Sequence, residues 1–314
     1  MSDKTQPPAP RSFLYRAWDS DVAYSFRHSP VAIVAGVVAL VIILMAIFAP
    51  WIAPHNPYDP SSLNLMDGFT PPMEPNAFTG NTYWLGTDNQ GRDIFSTLLY
   101  GARISLFVGF MAVLFAMVLG IAAGLAAGYR GGWVDSLLMR VADVQLSFPS
   151  ILIALLIFGV ARGFIPPAYR ETMAIWVLIV AIGLSDWVQY ARVVRGATMV
   201  EKNKEYVQAA RVIGAHPLKI LVRHILPNVM GPVLVIATIG LALAIIAEAT
   251  LSFLGVGVPP TQPSLGTLIR IGQQYLFSGE WWILLFPSIT LLALALAVNL
   301  LGDWLRDALN PRLR

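Results

Sequence analysis

The chain has no cysteine and only four histidines in 314 residues. The first absence excludes disulfides and thiolate metal sites, and it leaves compartment open. Charge is scarce as well: Asp, Glu, Lys and Arg make up 12% of the residues, where a soluble domain carries about a quarter. With 56% apolar residues, an ordinary water-soluble domain is excluded and an integral membrane protein is expected. A Gly-x4-Gly-Lys-Ser/Thr phosphate loop and a His-Glu-x2-His metal motif are both missing. No nucleotide hydrolysis, bound metal or other cofactor is therefore expected of this chain, and nothing in it calls for a nucleic-acid partner.

What is present is apolar length. Six runs can cross roughly 30 Å of hydrocarbon, at about 20 residues each. They cover residues 31–53, 104–127, 137–161, 173–190, 229–252 and 281–301. An all-α fold of six transmembrane helices follows. The third and fourth runs are the least regular, with Arg140, Asp143 and Asp186 in or beside them and Pro149 interrupting one. The first run is too long for a signal-peptide core and lacks a small-residue cleavage site, so it reads as a retained anchor.

Orientation follows from lysine and arginine, which are retained in cytoplasmic loops. With both termini inside, the inner segments hold 4, 2, 7 and 3 basic residues, and the outer ones hold Arg92, Arg103, Arg162, Arg170 and Arg270. Sixteen against five favours both termini in the cytoplasm. The chain then divides into an inner tail with an interfacial helix (1–30), a first span (31–53), an outer segment (54–103), a five-helix core (104–303) that contains a cytoplasmic loop (191–228), and an inner tail (304–314). Residues 1–10 are proline-rich and expected to be disordered. Phe13, Leu14, Ala17, Trp18 and Phe26, interleaved with Arg16, Asp19 and Arg27, suit a helix lying on the inner membrane surface or an ordinary flank of the first span.

The loop between the fourth and fifth spans is the most informative stretch. Residues 201–213 are good helix formers without Pro or Gly, and Tyr206, Ala209, Ala210 and Ile213 fall on one face. Gly214 just beyond them suits a left-handed C-terminal cap. Pro217 suits the first turn of a second helix, which Pro227 is expected to end. Two short helices with a bend at Gly214 form a knob, the first about 20 Å long. Small residues Ala209, Ala210 and Gly214 would let another protein approach closely. Periodicity alone leaves this reading and a helix pair lying on the inner leaflet both open. His216 and His224 stand eight apart across a basic helix, which disfavours a metal site; His224 is expected to be a structural hydrogen-bonding residue.

Here a resemblance adds what periodicity cannot. Glu205-x3-Ala209-Ala210-x3-Gly214, followed by His224, Pro227 and Asn228, resembles the EAA loop of ABC importer permeases. That resemblance implies a loop that inserts into a cleft on ATPase subunits. Trp84 to Asp93, with Tyr100-Gly-Ala-Arg103, Ala247 to Gly257, and Leu301 to Pro311, are similar to the C-type subunit of dipeptide and oligopeptide permeases. The family implies a type I ABC importer permease fold in the bacterial inner membrane. It also implies a homologous second permease, two ATPase subunits that carry ATP and Mg, and a periplasmic peptide-binding protein. Dipeptides or short oligopeptides are the implied cargo; glutathione, nickel chelates and opine-like solutes travel on relatives of the same type. A stand-alone secondary transporter is the rival class, and it gives no reason for the knob.

Four further features need placing. Gly120, Gly124 and Gly128 share one helix face and are expected to pack within the subunit. Asp143, Asp186 and Asp303 are expected to pair with Arg140, Arg192 and Arg306 near the inner surface. Asp88, Arg92 and Asp93 fit a salt-bridged scaffold better than acid–base chemistry. Glu248 lies toward the outer end of the fifth span, where it either lines the pathway and meets a peptide amino terminus or caps the turn at residues 254–258.

Overall fold

The computed structural model describes residues 21–59, 61 and 63–308. The interfacial-helix residues 13–18, the proline-rich residues 1–10, Arg312 and Arg314 lie outside these. Among the described residues the fold is helical, and strand pairing is limited to two isolated bridges, Pro75 with Thr82 and Thr87 with Asp93. Helix α1 is Asp21–Arg27 and α2 is Pro30–Ile47. The Ser29 side chain caps α2 and Pro30 opens it, a pairing that uses proline where its missing N–H costs nothing. The first span therefore ends six residues early, at Ile47, and Ala49–Ile52 form a separate turn around Pro50. Phe26 of α1 stacks edge-on against Trp304 at 5.0 Å, so it packs on the protein.

The frame is two long helices side by side: α3 (Ile94–Arg130) and, after α4 (Gly132–Leu146) and α5 (Ser150–Phe164), α6 (Arg170–Glu201). At 37 residues, α3 is about 55 Å long and overruns the hydrocarbon. Gly120, Gly124 and Gly128 bring its backbone onto α6: a Cβ at Gly124 would lie 2.6 Å from the Ala191 carbonyl, and one at Gly128 2.8 Å from that of Arg195. The three glycines thus serve packing within the subunit, as their spacing suggested.

The third expected span is not one rod. α4 and α5 meet at a 99° bend around Ser147–Pro149. Pro149 has no N–H to continue the ladder and disfavours a helical Phe148. Gln145 fixes the corner, donating to the carbonyls of Leu184 and Ser185 at 2.8 and 2.9 Å and accepting from Trp187 Nε1 at 2.9 Å. Among the described residues, five helices are long and apolar enough to span a membrane, or six if the bent pair counts as one span.

The fourth span runs on to Glu201, eleven residues past its expected end. Helix α7 (Glu205–Val212) follows, then α8 (Pro217–Ile220), a π turn over Leu221–Ile225, and α9 (Leu226–Phe253). Pro227 was expected to end the second loop helix before the fifth span, yet the helix runs through it. The π turn absorbs the missing donor: Leu226 N–H reaches back to the Leu221 carbonyl, one residue further than in an α-helix. Helices α10 (Leu265–Tyr275) and α11 (Trp282–Ala308) complete the bundle, and α2 lies against α11 through Ala35, Ala39 and Ala297.

Residues 64–93 form a small polar-cored fold at the end where α3 begins. Buried Asp67 accepts from the hydroxyls of Thr79 and Tyr83, the latter at 3.0 Å, and from Asn81 Nδ2 at 3.2 Å. Asp88 and Arg92 form a buried ion pair at 2.6 Å, and Asp93 caps α3 by accepting from Ser96 N at 2.8 Å. This segment is tied to the bundle by Trp282 Nε1, which donates to the Thr87 carbonyl at 3.0 Å. Asp88, Arg92 and Asp93 therefore stand as a scaffold.

Candidate functional site

The loop 202–228 lies at the opposite end of α3, where Lys202 Nζ donates to the Gly128 carbonyl at 2.6 Å. Helix α7 is eight residues, about 12 Å, because Glu201 ends α6 and residues 202–204 turn. Its inward face is Val207 and Ala210, which join a cluster with Val194, Ile220 and Ile225. The expected single face of Tyr206, Ala209, Ala210 and Ile213 is thus split: Ala210 packs inward, while Ala209 and Ile213 stay exposed. Docking against α6 and the π turn chose the rotation, and the sequence of α7 alone does not contain those partners.

Gly214 ends α7 as expected, with φ +77°. Gly214 N–H donates to Arg211 O and Ala215 N–H to Ala210 O, both at 3.0 Å, the paired bonds of a Schellman cap. The His216 ring accepts from Leu218 N at 3.3 Å and Pro217 opens α8. Glu205 stands exposed in the first turn of α7, facing the positive end of the helix dipole.

Asn228 links the two halves of the loop. Its Nδ2 donates to the Tyr206 hydroxyl at 3.0 Å and to the His224 carbonyl at 2.7 Å. Here the hydrogen-bonding role assigned to His224 belongs to its backbone; its ring lies tilted beside that of Tyr206, centroids 6.4 Å apart. Tyr206 hydroxyl in turn donates to Glu201, which pairs with Lys204 at 3.2 Å. Lost hydration and the adjoining Glu201 carboxylate push the Tyr206 phenol up to about 12, so it keeps its proton for that bond. Glu201 and the Tyr206 hydroxyl escaped the sequence reading, which treated one as a helix former and the other as an apolar face residue.

Outside this lattice the loop presents apolar side chains to solvent. Val212 is 87% exposed, Ile213 82% and Leu218 62%. They surround the Gly214 bend, where a Cβ would meet nothing within 4 Å. Isolated exposed aliphatics are ordinary, but three grouped on a rigid projecting turn form a patch suited to covering by another protein.

Glu248 is 0% exposed, in the closed packing between α3, α9 and α10. It accepts from Ser105 and Ser252 hydroxyls, each at 2.7 Å. Ser252 Oγ accepts from Val258 N at 3.1 Å, and Ser105 Oγ from Leu265 N at 3.2 Å. The carboxylate therefore braces the 254–258 turn through Ser252 and does not line an open passage here, which corrects the pathway expectation. Only Ser252, one helical turn on, was legible as a partner; Ser105 is 143 residues away. Of the carboxylates expected to pair near the inner surface, Asp143 does so, with Arg192 at 2.5 Å in place of its neighbour Arg140, while Asp186 and Asp303 make no ion pair among the described residues. Arg195 instead takes Asp135, at 2.7 Å through Nη2.

Residues 116–314 match the family described as binding-protein-dependent transport system inner membrane component, and residues 13–72 match the N-terminal transmembrane domain of oligopeptide transport permease C. This chain belongs to that transport family. The permease is 36% identical to the dipeptide transport system permease protein DppC of Haemophilus influenzae over the full length of both chains. It is 38% identical to the oligopeptide transport system permease protein OppC of Bacillus subtilis, covering 94% of this chain and 90% of that one. It is 37% identical to the di/tripeptide transport system permease protein DppC of Pseudomonas aeruginosa, covering 98% and 97%. In fold the permease resembles the inward-facing MetNI methionine ABC transporter, with TM-score 0.52 and 21% identity, covering 68% of this chain and 96% of the other. The permease is accordingly a multi-pass inner-membrane protein with the fold of an ABC importer permease.

Proposed function

We propose that this permease is one of two homologous membrane subunits of an ATP-driven importer that moves dipeptides or short oligopeptides delivered by a periplasmic binding protein. The peptide cargo rests on relatives at 36–38% identity that are named for dipeptide, di/tripeptide and oligopeptide transport. Both termini and the 202–228 loop lie in the cytoplasm, the orientation favoured by sixteen basic residues against five. The observation that carries the coupling role is the exposed rim of Val212, Ile213 and Leu218 on a turn locked by a Schellman cap. An ATPase subunit covers that rim, and its nucleotide-driven movement is passed through Val207 and Ala210 to α6 and α9 as a rigid-body shift. ATP and Mg stay on the ATPases, and no covalent step falls to this chain.

The lack of native cysteine makes the test direct. With Ile213→Cys in membranes that hold the permease subunits without their ATPases, a membrane-impermeant maleimide labels the site only from the cytoplasmic side, and adding the ATPase subunits blocks labelling. In Val212→Ser/Ile213→Ser the permease inserts normally but recovers at least tenfold less ATPase on copurification. Labelling from the periplasm, or full ATPase recovery by the double variant, would sink the assignment.

A further inference from the structure

At the end of the bundle that holds the 54–93 segment, a cavity of about 130 Å³ opens between the end of α5, the start of α6, the 255–260 turn and α10. Three guanidinium groups line it, from Arg162, Arg170 and Arg270, together with one carboxylate, Glu171. Three positive charges thus face one negative. Arg170 is oriented by Nε, which donates to the Ile165 carbonyl at 3.2 Å, and its terminal nitrogens have no hydrogen-bonding partner among the described residues. Arg270 lies flat on the turn: a Cβ at Gly255, where φ is +81°, would fall 2.5 Å from its Nη1, so the backbone there has been kept bare for it. Glu171 is held to Thr261 at 3.5 Å and forms no ion pair with any of the three. Among the described residues, neither Arg162 nor Arg270 has a hydrogen-bonding or ion-pairing partner in the protein. Arg170 and Arg270 are nevertheless partly buried. A partly dehydrated guanidinium with unused donors is a site short of an anion, and its planar fork matches a carboxylate.

We infer that this cavity holds the terminal carboxylate of the peptide as it enters the permease. The inference rests on the importer reading above, which makes this end the outer mouth. The dimensions favour a chain terminus: the recess takes one carboxylate and a short stub, whereas the acidic surface of a docking protein would need an open face. Position agrees, since the cavity wall is the same 255–260 turn that Glu248 and Ser252 brace from behind. A carboxylate placed there is anchored at the rim while the rest of the peptide passes inward, and the anchor holds cargo between its release by the binding protein and closure of the mouth.

The experiment uses the complete transporter in proteoliposomes, with its binding protein loaded with a free-acid tripeptide, and reads peptides imported per ATP hydrolysed. Losing one charge-assisted contact of this kind is a change on the order of tenfold. Arg270→Gln is expected to cut import per ATP about tenfold while binding-protein-stimulated hydrolysis and binding-protein affinity stay at the wild-type level, and Arg270→Lys recovers part of the loss. Arg162→Gln, at an exposed position that does not endanger folding, is expected to cut it about threefold and decides the matter if Arg270→Gln fails to assemble. Unchanged import per ATP in both glutamine variants overturns the inference. So does a parallel loss of binding-protein affinity, which would assign the carboxylate to that protein's surface. A wild-type complex that couples hydrolysis to no peptide at all would instead remove the importer reading itself, and this inference with it.

Discussion

The two ends of the bundle are built on opposite plans. At the 64–93 end the core is polar: Asp67, Asp88, Arg92 and Asp93 are buried, the first three matched by donors or acceptors from their own segment and Asp93 by the first turn of α3. At the 202–228 end the buried core is aliphatic, a Glu201–Tyr206–Asn228 hydrogen-bonded chain links the halves of the loop, and Val212, Ile213 and Leu218 face water. A closed polar network fixes one geometry, because every member left unpaired in a dry site costs free energy. An exposed apolar rim fixes nothing until something covers it. One end is largely satisfied within itself apart from Asn89 Oδ1, which is buried without a partner; the other, on the function proposed above, is half of an interface.

Glycine offers the sharpest way to break that comparison, since both ends place glycine in the left-handed region, among them Gly91 at φ +73° and Gly214 at φ +77°. At Gly91 an added Cβ would lie 2.2 Å from the Asn64 carbonyl oxygen, inside the polar fold. Gly91→Ala therefore combines the left-handed penalty, about 1–2 kcal/mol, with forced displacement of a packed backbone, for a total of about 3–4 kcal/mol. Denaturant unfolding in detergent, followed by proteolysis of the 64–93 segment, reads the loss. A cost below about 1 kcal/mol would mean that the polar end is as loose as the other.

Alkaline pH should open the polar end next. Burial, and then the Asp67 carboxylate that it donates to, hold Tyr83 up to about 12, against about 10 in an unfolded chain. Between those values the folded state keeps a proton that the unfolded state has released. Stability from this group is complete below pH 10 and is lost as pH rises through 12, in all about 3 kcal/mol at most. Burial raises the Tyr58 phenol too, so it yields at a still higher pH. Protease susceptibility of residues 64–93 should climb across that window, and Tyr83→Phe, which has no proton to lose, should flatten the climb. An equal slope in the variant would assign the effect elsewhere.

How much of this was legible in the sequence differs by the same division. Local signals read true: Gly120, Gly124 and Gly128 pack onto α6, Gly214 caps α7, and Pro217 opens α8. Each depends on neighbours within a few residues or on one periodic face. What misled was set by tertiary partners. Pro227 looked like a stop, but a π turn lets the helix pass it. Residues 137–161 looked like one rod, but Gln145 on the α6 carbonyls holds a corner there. Glu248 fitted either a pathway role or a brace for the 254–258 turn, because Ser105, which closes it off, sits on another helix. Apolar length locates spans; it carries no information on how they bend or which polar groups they hide.

The smallest effect on stability belongs to Gly214, and it separates structure from coupling. Nothing lies within 4 Å of a Cβ there, so Gly214→Ala carries only the left-handed penalty, about 1–2 kcal/mol, well below the cost at Gly91. A β-branched residue is worse for the turn, since it tolerates positive φ least, yet it still meets no neighbour. Gly214→Val should therefore leave insertion and the bundle intact while the Schellman bonds to Ala210 and Arg211 are lost and the Val212–Ile213 rim swings from its place. ATPase recovery and ATP-driven uptake should fall by tenfold or more in Gly214→Val, out of proportion to its melting shift. If uptake instead tracks stability, with Gly91→Ala the more damaged transporter, then the bend is only a connector, and the two ends differ in packing without differing in purpose.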